Sequence, residues 1–191
     1  MISLRETLSR RPRRQIVRGE RAAVLVAILD DGGPLRLLLT RRTAEVATHK
    51  GQVAFPGGLA CPDDDGPVRT ALREAQEEIG LRPEAVEVLG LLDDVPTRTD
   101  AVAVTPVVGR LATLPHLTPH DREVARIFTV PLADLQRPER WTSRLEDRPG
   151  GARHVHYFEH DGETLWGLSA RIVLNLLELT PPGSPVALQE R

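Results

Sequence analysis

The chain has 191 residues, of which 40% are hydrophobic and 27% charged, and its formal net charge is −2. These values are typical of one globular domain and exclude a disordered or collagen-like chain. The near-neutral charge argues against nucleic acid as the main partner, and the single cysteine, Cys61, argues against an oxidised secreted domain. Because no apolar run approaches the roughly 20 residues that span a bilayer, we expect a cytoplasmic protein without a membrane partner.

An arginine-rich N-terminal arm, residues 1–20, precedes the first apolar run. Residues 5–21 contain seven arginines and only two glutamates, a pattern that favours a solvated arm. A positive collar that attracts phosphate and a contact between two copies of the chain are the alternatives. The sequence therefore leaves a homodimer open.

The first predicted elements are a hairpin and a helix. The apolar run Ala22–Leu29 predicts a buried strand, residues 30–33 predict a turn, and residues 35–40 predict the returning strand. A loop rich in glycine and proline follows. Residues 68–79 then have the apolar spacing of a helix, with Pro67 in its first turn and Gly80 at its C-terminal end.

The second half of the chain alternates strands with one more helix. The predicted strands are residues 86–92, 102–108 and 127–130, followed by a hairpin of residues 154–158 and 163–166. Residues 169–179 predict an amphipathic helix with Ser169 as its N-cap. We expect a single domain over residues 21–180 and a tail over residues 181–191. Because strands and helices are interleaved, the fold class is α/β or α+β with a mixed sheet.

Three carboxylates share one face of the first long helix. Glu74, Glu77 and Glu78 stand at positions i, i+3 and i+4. Like charges at this spacing destabilise a helix by about 0.2–0.5 kcal/mol each. A divalent cation such as Mg²⁺ or Mn²⁺ would compensate the repulsion, since both prefer carboxylate oxygens. The alternative is a solvated face on which Arg73 pairs with Glu77 and Arg82 with Glu78.

These residues resemble the signature of a known family. Gly58, Asp65 and the run REAQEEIGL at 73–81 are similar to the Nudix hydrolase pattern G-x5-E-x7-R-E-U-x-E-E-x-G-U, where U is aliphatic. The acid ahead of the helix is aspartate here, and six residues rather than five separate Asp65 from Gly58. Either Asp64 or Asp65 therefore fills the position of the acid that orients the arginine. The resemblance implies an α/β/α sandwich with a mixed central sheet.

The resemblance also implies an activity and roles for single residues. The activity is metal-dependent hydrolysis of a small-molecule diphosphate. Glu74, Glu77, Glu78 and the carbonyl of Gly58 would bind Mg²⁺ or Mn²⁺. Arg73 would hold a helix carboxylate in place. The base that deprotonates the attacking water would be a helix glutamate such as Glu77 or a carboxylate from another loop, for which Glu123 is the candidate.

A second motif resembles the coenzyme A pyrophosphatase subfamily. The sequence LLTRR at 38–42 and the sequence HKGQVAFPGG at 49–58 are similar to its L-L-T-x-R strand and H-x-G-x-x-x-F-P-G-G loop. The implied reaction cleaves coenzyme A or its thioesters to 4′-phosphopantetheine and adenosine 3′,5′-bisphosphate. Arg41, His49, Lys50 and Arg98 are the candidates for binding the substrate phosphates. The alternatives are a Nudix hydrolase of ADP-ribose, NADH or a nucleoside triphosphate, and a non-catalytic domain that senses a nucleotide or binds RNA.

Overall fold

The computed structural model describes residues 3–45, 50–99, 101–147, 151–181 and 187–188. The helices in this part of the chain are α1 (Leu4–Arg10), α2 (Gly66–Ile79), α3 (Leu132–Leu135) and α4 (Gly167–Leu179). The strands are β1 (Glu20–Leu29), β2 (Arg36–Arg42), β3 (Val53–Ala54), β4 (Gly57–Leu59), β5 (Glu87–Leu91), β6 (Val95–Pro96), β7 (Val102–Leu111), β8 (Val124–Pro131), β9 (Trp141–Glu146), β10 (Arg153–His160) and β11 (Glu163–Trp166).

A mixed sheet forms the centre of the fold. Its main path is β3-β2-β1-β7-β5, with β4 paired to β1, β6 to β7 and β8 to β2. Strands β1 and β7 run parallel along the whole of β1, whereas the other pairs in this sheet are antiparallel. Leu25 and Ala27 of β1 face one apolar cluster, and Val26 and Ile28 face the other. Burial on both faces explains why β1 is a continuous apolar run rather than an alternating one.

Helices cover both faces of this sheet. On one face α2 contributes Ala71, Ala75 and Ile79 to the apolar cluster that includes Leu25. On the other face lie α1, α3, α4 and a second sheet of order β11-β10-β9. The predicted α/β/α sandwich with a mixed sheet is confirmed. No helix in the ranges given above is long and apolar enough to cross a membrane.

The predicted N-cap of the last helix is wrong. Helix α4 begins at Gly167, and Trp166 occupies the N-cap position without a side-chain capping bond. Ser169 is buried inside the helix, where its hydroxyl donates to the carbonyl of Val53 at 3.0 Å. A short hydroxyl side chain readily bonds a nearby backbone group, and here that group belongs to β3. The bond therefore ties α4 to the strand that leads into the glycine-rich loop.

The prediction of a solvated N-terminal arm is also wrong. Leu4 and Leu8 lie one helical turn apart on α1 and are buried in the apolar core. Beyond α1, the carboxylate of Asp93 accepts a hydrogen bond from Arg11 at 2.7 Å. The other arginines of the segment that form ion pairs are Arg5 with Glu87, Arg10 with Glu6, and Arg13 and Arg21 with Asp94. Burial of the two leucines and the ion pairs with Glu87, Asp93 and Asp94 fix the arm against the domain, whereas the Arg10–Glu6 pair lies within α1.

Residues 187 and 188, in the predicted C-terminal tail, pack against helix α1. The backbone N–H of Leu4 donates to the carbonyl of Ala187 at 2.7 Å, and the side chain of Leu188 is buried in the core. The N-terminal and C-terminal segments are therefore joined on the face of the sheet opposite α2.

Candidate active site

Two glycines of β4, Gly57 and Gly58, allow this strand to lie very close to β1 and to helix α2. Strand β4 pairs antiparallel with β1. A Cβ atom at Gly57 would lie 2.4 Å from the carbonyl oxygen of Ala23, and a Cβ atom at Gly58 would lie 2.5–2.6 Å from the carboxylate atoms of Glu74. At Gly57 only glycine allows this approach, because a Cβ atom would meet backbone, whereas at Gly58 the side chain of Glu74 would have to move. The motif glycine Gly58 is thus placed directly beside one of the predicted metal ligands.

Helix α2 presents its glutamates at the boundary between core and solvent. Gly80 adopts a left-handed conformation with φ 67° and its N–H closes the last turn, as the sequence predicts. Burial of Ala75 and Ile79 against the sheet fixes the rotation of the helix. As a result Glu78 is buried, with 4% of its surface exposed, while the side chain of Glu77 is 60% exposed.

The acid that orients Arg73 is Asp64. The Arg73 guanidinium donates to Asp64 from Nε at 3.1 Å and from Nη2 at 3.0 Å. This contact, together with the N–H of Cys61, lowers the pKa of Asp64 to about 2. Asp65 stands at the N-cap of α2 and makes no side-chain capping bond. Five residues separate Asp64 from Gly58, as in the signature, so the extra residue lies between the acid and Arg73.

Arg73 also binds two of the helix glutamates. Its Nη1 lies 2.9 Å from Oε1 of Glu74 and 3.1 Å from Oε2 of Glu77. Its Nη2 donates to the carbonyl of Leu59 at 3.0 Å. One guanidinium therefore links the loop, the acid and two carboxylates of α2. The Arg73–Glu77 pair expected for an ordinary solvated face is present, but Glu78 is not part of such a face.

Glu78 is held by partners from two other elements. Its Oε2 accepts the backbone N–H of Gly57 at 3.1 Å, and its Oε1 accepts Nη1 of Arg42 at 3.2 Å. Burial raises the pKa of Glu78 to about 7, against the lowering effect of these two donors and with a further upward contribution from Glu74 and Glu123. Burial also raises the pKa of Glu74, which Arg73 partly offsets. A proton or a cation is therefore favoured at Glu78 near neutral pH, and burial acts in the same direction at Glu74.

The segment before β8 brings Glu123 to the same site. The N–H of His120 donates to the carbonyl of Glu78 at 2.8 Å, and the N–H of Thr43 donates to the carbonyl of Glu123 at 2.9 Å. The Glu123 carboxylate is close enough for its charge to raise the pKa of both Glu74 and Glu78. The charge of the candidate base suggested by the sequence therefore acts on two of the glutamates of α2.

The donor set of this site fits a hard divalent cation. The oxygen atoms available here belong to carboxylates, two of them on largely buried side chains, beside the backbone of Gly58. Within the described ranges, no three His, Cys, Asp or Glu side chains converge closely enough to hold one ion. Glu74 and Glu77 are turned to Arg73, and Glu78 to Arg42, so arginines supply the positive charge in this structure.

The predicted substrate-binding residues are not brought together in this site. Arg41 faces away from α2 and pairs with Glu163 at 3.4 Å. Lys50 and Arg98 are exposed in turns, after β2 and after β6 respectively. His49 lies outside the described residues. The arginine that does reach the site is Arg42, and the signal for it was present, because Arg42 rather than Arg41 is the fixed arginine of L-L-T-x-R.

Comparison with known proteins identifies the architecture. The family model described as NUDIX domain matches residues 19–149. The chain is 40% identical over 163 residues to the "Uncharacterized Nudix hydrolase NudL" of Pectobacterium atrosepticum, covering 85% of this chain and 84% of that protein. It is 38% identical over 167 residues to the protein of the same description from Photorhabdus laumondii, covering 87% and 88%.

Solved structures agree with this comparison. A Nudix hydrolase from M. smegmatis, RenU, superposes with a TM-score of 0.51 at 27% identity, covering 60% of this chain and 72% of that one. A MutT/nudix family protein from Enterococcus faecalis superposes with a TM-score of 0.54, covering 92% of this chain and 68% of that one. At 18% identity, the second likeness concerns the fold alone.

Proposed function

The chain belongs to the Nudix hydrolase family and is a pyrophosphohydrolase, and from this premise we propose that it hydrolyses the diphosphate of coenzyme A or of its thioesters. The products are 4′-phosphopantetheine, or its acyl form, and adenosine 3′,5′-bisphosphate. The proposal concerns the substrate, since a fold hosts many substrates and the choice among them depends on residues outside the common helix.

The proposal rests on one observation: both parts of the motif that resembles coenzyme A pyrophosphatases donate hydrogen bonds to Glu78. Arg42, from the L-L-T-x-R strand, donates to one carboxylate oxygen, and the N–H of Gly57, from the F-P-G-G loop, donates to the other. The hydroxyl of Thr40 in the same strand donates to the carbonyl of Ala54 in β3 at 3.2 Å. The strand and the loop of this motif are thus joined to each other and to α2 by hydrogen bonds.

The residues proposed to hold Mg²⁺ or Mn²⁺ are Glu74, Glu77, Glu78 and the carbonyl of Gly58. When bound, such cations neutralise the diphosphate and lower the pKa of the attacking water. The like charges of the helix face are then matched by the cation as well as by the arginines. Phosphoryl transfer requires positioning and counter-charge more than a covalent nucleophile, which agrees with a site built of carboxylates and arginines.

Positioning and proton transfer are assigned to the chain's own side chains. Asp64 fixes the guanidinium of Arg73, and Arg73 in turn orients the carboxylates of Glu74 and Glu77. Glu123 is proposed as the base that accepts the proton of the attacking water, with Glu77 as the alternative. Glu123 suits this role because its carboxylate is close to the site but is not on α2.

The test is a panel of diphosphates assayed with Mg²⁺ and with Mn²⁺. Coenzyme A, dephospho-coenzyme A, ADP-ribose, NADH and a nucleoside triphosphate are compared by kcat/KM, and the products are identified by mass spectrometry. We expect the highest value for coenzyme A or a thioester, with cleavage at the diphosphate. A higher value for any other compound of the panel, or no turnover at all, contradicts the proposal.

A further inference from the structure

Two arginines oppose each other on the face of the central sheet that is turned away from α2. Arg41 of β2 and Arg126 of β8 are direct partners in the antiparallel register. Like charges at directly opposite positions destabilise a sheet. An anion near both guanidinium groups is needed to compensate this arrangement.

Glu163 supplies only part of this compensation. Its side chain is 6% exposed, and its Oε1 lies 3.0 Å from Nη1 of Arg126 and 3.4 Å from Nη1 of Arg41. One carboxylate balances one of the two guanidinium charges, so the trio keeps an excess of positive charge. The side chains of Arg41 and Arg126 are 43% and 42% exposed, which leaves their outer edges open to a ligand from solvent.

The surroundings hold this trio in place. The guanidinium of Arg126 lies 5.3 Å from the centroid of the Phe128 ring and also donates to the carbonyl of Asp161 at 3.5 Å. Glu163 lies opposite His160 in the antiparallel register of the β10–β11 hairpin. Beneath it lie the buried side chains of the apolar core, among them Leu39, Phe158 and Leu165. A ligand therefore meets arginines that are already oriented by a rigid frame.

We infer that Arg41 and Arg126, positioned by Glu163, form a binding site for a phosphate monoester. Guanidinium groups match the oxygens of a phosphate with paired hydrogen bonds. Arg41 is the neighbour of Arg42, which contacts Glu78, so this site and the active site lie at the same end of β2 on opposite faces of the sheet. Resting on the proposed function, the site takes the 3′-phosphate of coenzyme A, the substrate's one phosphate monoester.

Calorimetry of two adenosine compounds tests the site without turnover. Adenosine 3′-monophosphate and adenosine, which has no phosphate, are titrated into the wild type, Arg126→Gln, Arg41→Gln and the control Arg137→Gln, an exposed arginine beside Asp134. Because a charge-assisted contact is involved, we expect the wild type and the control to prefer the monophosphate by about tenfold or more. Both other variants should reduce this preference toward one.

Two further measurements decide between the possible failures. Thermal melting shows whether each variant folds. If Arg126→Gln does not fold, Arg41→Gln decides, because Arg126 packs on the Phe128 ring whereas Arg41 has no such contact with the described residues. A wild type without preference, or folded variants that keep it, overturns the site. The ratio of kcat/KM for coenzyme A to that for dephospho-coenzyme A is then measured. If neither compound is hydrolysed, the proposed function fails while calorimetry still decides the site; if coenzyme A is hydrolysed but calorimetry is negative, only the site fails.

Discussion

Replacement of Glu78 by glutamine tests whether a buried carboxylate weakens the metal-free protein near neutral pH. Glu78 is buried, and its two oxygens accept bonds from Gly57 and Arg42. Glutamine keeps the shape but carries one acceptor oxygen, so one of these donors loses its partner. That loss is the same at every pH, whereas the cost of the buried charge is not. The dependence of stability on pH therefore isolates the charge.

The magnitude follows from the raised pKa. The pKa of Glu78 is about 7 in the folded protein against an ordinary 4.5. Between these values the unfolded chain has lost the proton and the folded chain still binds it, so stability falls as pH rises. Below pH 4.5 the effect is absent, and above pH 7 it is complete. A difference of this size corresponds to about 3 kcal/mol, or about 10 °C in Tm for a chain of this length.

The assay is urea unfolding with EDTA from pH 4.5 to pH 8, performed on the wild type, Glu78→Gln and the control Glu77→Gln. The free energy of unfolding of Glu78→Gln minus that of the wild type should rise by about 3 kcal/mol across this range. The control removes a mostly exposed charge from the same helix and should follow the wild type. Parallel curves for Glu78→Gln and the wild type would refute the reasoning. Under the proposed function, Glu78→Gln also loses turnover while remaining folded.

Five further substitutions have defined expectations. Asp64 has its pKa lowered to about 2, so it stabilises the fold above pH 4 and this contribution, about 2 kcal/mol, is lost as pH falls toward 2; acid unfolding of Asp64→Asn should lack that loss. Gly57→Ala should lower the free energy of unfolding by about 3 kcal/mol in urea titrations, because its Cβ meets backbone. Gly58→Ala meets only a carboxylate that can move, and should melt near the wild type while kcat falls. Leu8→Ala should cost about 2–5 kcal/mol in urea unfolding, and a smaller cost would contradict the packed arm. Lys50→Ala should raise KM for coenzyme A about tenfold without a change in Tm; equal kinetics at low salt would show that this charge is accidental.

Elements whose determinants are local were predictable from the sequence. Helix α2 begins near Pro67 and ends at Gly80 because these residues act through their own backbone conformation. Strand β1 is buried on both faces, so its continuous apolar run in the sequence correctly predicts a buried strand. The N-terminal arm was missed because its arginines dominate the composition, whereas the carboxylates that bind them, Asp93 and Asp94, lie about eighty residues away in the chain. Ion pairs at such separations are not visible to a local pattern.

The candidate site divides in the same way. The shared face of the three glutamates follows from helical spacing alone, and so does the expectation that something positive must stand beside them. The spacing also predicts that Arg73 supplies part of this charge, since Arg73 precedes Glu77 by one helical turn. The helical spacing does not indicate Arg42, which comes from a strand 36 residues earlier, and only its place as the fixed arginine of L-L-T-x-R points to it. The choice between Asp64 and Asp65 depended on the course of the loop, which spacing cannot determine.

The pair Arg41–Arg42 shows how strand geometry separates residues that are adjacent in sequence. Successive side chains of a strand point to opposite faces, so Arg42 lies on the face of α2 and Arg41 on the face of Glu163. Two neighbouring arginines in a strand therefore cannot form one positive patch, although composition suggests it. Placed at the end of β2, they instead bring one positive charge to the glutamates of α2 and another to the trio with Arg126. The alternation already visible at Leu37, Leu38 and Leu39, which divide between the two apolar clusters, extends to these arginines.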